Sequence, residues 1–76
     1  MEAPVDTADR HPSTVHIARY FEYDHLPLHL QAVSRPCADL AQGLIDVLPD
    51  GPELTAGLRK LLEAKDCFVR AALDGH

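Results

Sequence analysis

The stretch 48-LPDGPE-53 decides the fold. Two prolines bracket Asp-Gly, which stops any helix arriving from the N-terminal side. Asp50 followed by Glu53 has the form of a capping box, with Gly51 and Pro52 in a first turn where a missing N–H is tolerated. A helix over 51–73 is therefore expected. Its apolar positions are Leu54, Leu58, Leu61, Leu62, Phe68, Val69, Ala72 and Leu73, a stripe wider than a two-helix seam needs. Gly75 lies beyond the last of them, where a helix end favours glycine. Lys65 is the odd residue, a charge at a seam position between Leu61 and Phe68. It either snorkels out of the interface or points into a shared pocket.

On the other side of the turn, Leu26, Leu30, Val33, Cys37, Leu40, Leu44 and Val47 step by 4, 3, 4, 3, 4 and 3, a seam of the coiled-coil kind. This predicts a helix over 26–48, roughly 35 Å long at about 1.5 Å per residue. Pro36 removes the bond to the Ala32 carbonyl, so a kink or break is expected near Ser34 to Pro36, with Ser34 placed to cap the second piece. Two helices joined by a short turn pack antiparallel. The predicted fold is thus all-α, an antiparallel helical hairpin whose first helix is kinked near Pro36.

Upstream, Val15, Ile17, Phe21 and Tyr23 share one parity around Arg19, a weak alternation that predicts an extended segment over 14–24. Residues 1–13 are polar and carry two prolines without a period, so they are expected to form a disordered arm before a hairpin domain over 14–76. A hairpin covers each helix on one side only. The surplus apolar width of the second helix and the Phe21/Tyr23 segment then require a homo-oligomer.

With 76 residues and a formal charge of −5, the chain is one small domain and a poor match for duplex nucleic acid or an anionic membrane, which need clustered cations. It has no run of the ~20 apolar residues that spans a bilayer and no basic, apolar leader. Only Cys37 and Cys67 are present, both in helical patterns, so no disulfide framework is expected and a reducing cytoplasm fits best. Burial in those patterns raises thiol pKa values, which argues against a cysteine nucleophile, and there is no Gly-rich phosphate loop. His25 and His29 have the four-residue spacing of a zinc pair, but no further ligands stand at zinc-site spacing, so no metal is expected. A small anion needs only a few local cations, and Arg35, Arg59, Lys60 and Arg70 are candidates. The competing reading of the helix-two cations is a solvated face of i,i+3 and i,i+4 pairs. Tyr23 offers a stacking face and a polar tip just before a helix N-terminus, the combination that can anchor a nucleotide.

The order 21-FEY-23, Pro27, 40-LA-41 and 49-PDGPELTAGLRKLLEA-64 resembles the phage helical-hairpin family shared by anti-CBASS and anti-Thoeris sponge proteins. Against the last stretch that family shows approximately Pro-Asp-Ser-Arg-Glu-x-Ser-Leu-Ala-Ile-Thr-Lys-Leu-Glu-Glu-Ala. Pro49, Asp50, Glu53, Lys60, Leu61, Glu63 and Ala64 are identical under it, with Thr55 and Leu58 conservative. The resemblance runs from Phe21 to the end of the chain. It implies a homo-oligomer, often a hexamer, that sequesters cyclic di- or trinucleotides or cyclic ADP-ribose isomers between protomers, without catalysis, in the host cytoplasm. Tyr23 takes the place of the tyrosine that stacks on a base, and Arg35 stands nearest to the phosphate-holding cation of the first helix. Gly51 and Pro52 replace the Ser-Arg of the turn, so the arginine of that turn has no counterpart and a second pocket built on it is not implied; Arg59, two turns later, is a substitute.

The expected ligand-binding set is Tyr23, His25, Arg35, Thr55 and Arg59, with no cofactor, no metal and no enzymatic activity; cyclic dinucleotides are the first choice of ligand. The alternative is a protein-interaction module that docks its apolar helical face on a host protein.

Overall fold

Thr14, Ile17, Ala18 and Phe21 are all buried, and residues at that spacing share one face of a helix. In the computed structural model, which describes residues 10–75, they belong to helix α1 (Pro12–Ala18) and a 3-10 turn over Arg19–Phe21 that continues it. The extended segment expected over 14–24 is therefore helical over most of its length. The alternation that suggested it counted Val15 and Tyr23 and left out Thr14 and Ala18, two small residues that complete the buried face. Helix α1 starts where 11-HPS-13 dictates: the His11 ring accepts from the Ser13 N–H at 3.0 Å, and Pro12 occupies the first turn. Arg10 to Ser13, expected as the end of a disordered arm, are thus ordered, whereas residues 1–9 lie outside the described residues.

Helix α2 runs over Leu28–Val47. It begins two residues later than the seam suggested because Pro27, at φ −56° and ψ 153°, is its N-cap and keeps the chain extended at that point. The Leu30 and Gln31 N–H groups donate to the Pro27 carbonyl, and the Gln31 amide reaches back to the Leu26 carbonyl at 2.8 Å. The helix continues through Pro36 without the break expected near Ser34 to Pro36. Pro36 and Ala32 are both exposed, so the carbonyl left without its helical partner faces the solvent side. Ser34 does not cap a second piece; it is fully buried inside the helix, and its hydroxyl has no partner among the described residues.

The buried face of α2 is Leu30, Ser34, Cys37, Ala38, Ala41 and Ile45. Only Leu30 and Cys37 of the expected seam belong to it, while Leu40, Leu44 and Val47 are 52%, 37% and 74% exposed. Ala38 and Ala41 explain the rotation. Their small side chains leave room for Phe21, which packs among them with no exposed surface.

Helix α3 covers Pro52–Asp74 and ends on Gly75, whose N–H donates to the Ala71 carbonyl. It is joined to α2 by residues 48–51 and packs against it, with Leu54 and Leu58 entering the core beside Ile17, Phe21 and Ile45. Its N-cap is Gly51 without a side-chain cap, so the capping box is not made. The Asp50 carboxylate serves the N-terminal segment instead. It accepts from Arg10 Nε at 3.0 Å, from the His11 N–H at 3.0 Å and from the Thr14 hydroxyl at 3.1 Å. Arg10 also donates to the Ile45 and Leu48 carbonyls at 2.6 and 2.8 Å, a cation at the negative end of α2. Lys65 takes neither expected role: its ammonium donates to the Tyr20 carbonyl at 2.6 Å and closes the end of the 3-10 turn. The described residues contain no strand, and none of their helices is long and apolar enough to cross a membrane.

Two measurements check this account. Phe21→Ala should lower unfolding free energy by about 3–5 kcal/mol in urea titration, the usual range for emptying a phenylalanine site. For Asp50, desolvation acts to raise the pKa, but the hydrogen bonds from His11, Arg10 and Thr14 outweigh it and lower the value below that of a free carboxylate. A lowered folded-state pKa stabilises above the unfolded value and loses that contribution as pH falls through the folded one. The melting temperature of the wild type should therefore drop below about pH 4, with a steeper slope than that of Asp50→Asn.

Candidate functional site

Pinning residues 10–21 across the start of α3 leaves a groove between them. Its larger part, about 500 Å³, lies over the first turns of α3 between His11 and Ser13 on one side and Thr55 and Arg59 on the other. A smaller part of about 180 Å³ continues along α1 past His16 and Tyr20 to Leu62, and Ser13, Thr55 and Arg59 line both.

Local sequence explains each wall. Thr55 and Arg59 are one helical turn apart on α3, on the side that faces α1. Ser13, His16 and Tyr20 step by 3 and 4 along the outer face of α1 and the 3-10 turn. The Ser13 and Thr55 hydroxyls meet across the groove at 3.3 Å, and the His11 Nδ1 lies 2.9 Å from the Ser13 hydroxyl. That nitrogen already accepts the Ser13 N–H. The pair is thus a helix cap, and the ring nitrogen facing Ser13 is an acceptor and not a free base for it.

The charge pattern suits an anion. Asp50 is the carboxylate of the larger part, and its oxygens are taken by Arg10, His11 and Thr14. Arg59 is exposed and makes no ion pair or hydrogen bond among the described residues. At the start of α3 the Thr55 N–H bonds to the Gly51 carbonyl, and the Glu53 and Leu54 amides precede that first bond, where a helix carries its partial positive charge. Tyr20, 55% exposed, stands edge-on to His16 with centroids 5.8 Å apart and an interplanar angle of 79°. More than half of the Tyr20 surface is open to solvent. A cation, two hydroxyls and an aromatic ring in one groove can hold a small anionic ligand that carries a flat ring.

Of the residues expected from the sequence, the structure brings Thr55 and Arg59 together in this groove. Tyr23 is half-buried and packs against the core; His25 is exposed in the turn before α2, and Arg35 is exposed on α2. Within one chain these three do not line the groove. Sequence reasoning did not include His11, Ser13, His16 or Tyr20. The signal that would have found them is 11-HPS-13, a capping residue followed by proline at the first helical position, which starts a helix and sets the faces of the next ten residues. Among the described residues no group of three or more His, Cys, Asp or Glu side chains could hold a metal ion. Cys37 is buried, and burial pushes its thiol pKa up against the opposing charge of Lys65. Set against family models, curated proteins and solved structures, the chain matches none of them.

Proposed function

We propose that the protein binds small cyclic nucleotides in the groove between α1 and α3 and sequesters them without cleavage, as a phage-encoded sponge for the signals that activate CBASS- or Thoeris-type defence. The observation that carries this reading is Arg59, without an ion pair or hydrogen bond among the described residues, beside the Ser13–Thr55 hydroxyl pair, with the exposed ring of Tyr20 further along the same groove. Arg59 and the hydroxyls hold phosphate, the start of α3 adds its amides, and Tyr20 stacks on a base. The order 21-FEY-23 to 49-PDGPELTAGLRKLLEA-64 supports the same ligand class by resemblance. In this reading α2 and α3 form an antiparallel hairpin, and Tyr23, His25 and Arg35 act in pockets completed by a second protomer in a homo-oligomer of up to hexameric size. Cyclic dinucleotides are the first choice of ligand, and the site of action is the cytoplasm of the infected cell. The alternative, a module that docks on a host protein, draws on the exposed Leu40, Leu44 and Val47.

Calorimetry against cyclic dinucleotides, cyclic trinucleotides and cyclic ADP-ribose isomers tests the proposal. Heat is expected with at least one of them, and mass spectrometry of the heat-released ligand should return it intact. Arg59→Ala should weaken binding by about 10-fold or more, since a hydrogen bond to a charged group is worth ~1.5–3 kcal/mol. Tyr20→Ala should weaken it comparably, at ~1–3 kcal/mol for one stacked base. A loss seen with Tyr23→Ala and not with Tyr20→Ala moves the stacking ring out of the groove, and no heat from any ligand overturns the proposal.

A further inference from the structure

A histidine is an uncommon residue to close the start of a helix. Ser, Thr, Asp and Asn are the usual choices, and their oxygens accept a hydrogen bond throughout the neutral pH range. At 11-HPS-13 the acceptor is an imidazole nitrogen: His11 Nδ1 takes the Ser13 N–H at 3.0 Å. A nitrogen that accepts carries no hydrogen, so the neutral ring holds its proton on Nε2. The same Nδ1 lies 2.9 Å from the Ser13 hydroxyl, which in turn lies 3.3 Å from Thr55 Oγ1 across the groove. With Nδ1 as acceptor the hydroxyl chain runs from Thr55 to Ser13 to His11.

We propose that His11 is a pH-sensitive clasp: its neutral ring closes the start of α1, and protonation opens that closure and reverses the hydroxyl chain. Protonation places a hydrogen on Nδ1. The Ser13 N–H then faces a donor and loses its partner, while the Ser13 oxygen accepts from the ring and passes its own hydrogen to Thr55. The Thr55 hydrogen is freed toward the groove that Arg59 lines. What that hydrogen does for a bound anion rests on the reading of the groove given above; the clasp itself does not.

The charged groups around the ring support this reading. From the connection before α3 the neighbour is Asp50, whose oxygens already serve Arg10, the His11 N–H and the Thr14 hydroxyl. Its charge is balanced by the ion pair with Arg10. From α3 the charged residue lining this part of the groove is Arg59, which opposes a second positive charge, and α2 contributes no titratable side chain to that lining. Among the described residues of the groove no uncommitted carboxylate stands by to hold the charged ring. A contact that needs the neutral imidazole contributes at higher pH and is lost as pH falls through the range in which histidine side chains titrate, around 6.5. Asp50, held below the usual carboxylate range, acts at lower pH, so the two effects separate.

Nitrogen NMR of the imidazoles and thermal melts of the full chain test the clasp without ligand. At about pH 8 the His11 ring should be the Nε2–H tautomer, and the Ser13 amide resonance should move with the titration of that ring. Between about pH 8 and pH 5 the wild type should lose ~4–8 °C of melting temperature relative to His11→Asn, because asparagine caps a helix without titrating. His16→Asn, which removes the other imidazole of the groove, should keep the wild-type loss. An Nδ1–H tautomer at the higher pH overturns the proposal, as does a wild type that tracks His11→Asn at both pH values or a loss that disappears with His16→Asn. Nucleotide calorimetry at the higher pH, where the clasp is closed, reads the groove separately, so either proposal can fail while the other stands.

Discussion

The Asp50 carboxylate is where three helix ends meet. It accepts the His11 N–H and the Thr14 hydroxyl at the start of α1, it holds Arg10, and Arg10 in turn satisfies the Ile45 and Leu48 carbonyls at the end of α2, just before the turn into α3. Helix ends carry orphan donors and acceptors that must find partners. Here a single aspartate and a single arginine supply several of them at once. Helix α1 is only seven residues long, too short to persist by itself; its position comes from this junction and from the packing of Ile17, Ala18 and Phe21. The groove, whose one wall is that helix, depends on the same junction.

The elements legible in the sequence were those announced by strong local chemistry. Pro49 to Pro52 stopped one helix and started another, and Gly75 ended the second. What escaped was anything decided by contact between distant residues. Asp50 three residues before Glu53 looks like a cap, yet a carboxylate offered an arginine, an amide and a hydroxyl gains more from those donors than from one amide of its own helix. The seam over Leu26 to Val47 is real as a pattern, but the helix buries the neighbouring row because Ala38 and Ala41 admit Phe21. Small residues carry no signal in a hydrophobic pattern while permitting the closest approach. The site divided in the same way. Thr55 and Arg59 were readable from α3 alone, whereas Ser13, His16 and Tyr20 became neighbours of α3 only once 12–21 was helical.

Two stripes on α2 divide the labour of the fold. The row through Ala38, Ala41 and Ile45 is narrow and close-packed, suited to holding a short helix and one phenylalanine ring. The row through Leu40, Leu44 and Val47 is larger and lies open. Among the described residues α1 and α3 reach only the first of them. A small domain leaves apolar surface uncovered in this way because its elements are too few to surround each other.

Lys65 gives the groove a further property. Its ammonium holds the Tyr20 carbonyl at one end of the α1 segment while Arg10 holds the other end against α2 and Asp50. A wall fastened at both ends is pre-organised: releasing either contact leaves the other, so the segment does not swing out as a lid. A ligand entering such a groove finds little chain left to order and forfeits little entropy on arrival. Among the described residues no segment closes over the groove, so a ligand of the proposed kind would arrive by diffusion and the attraction of Arg59, and its departure would be set by the strength of the contacts themselves.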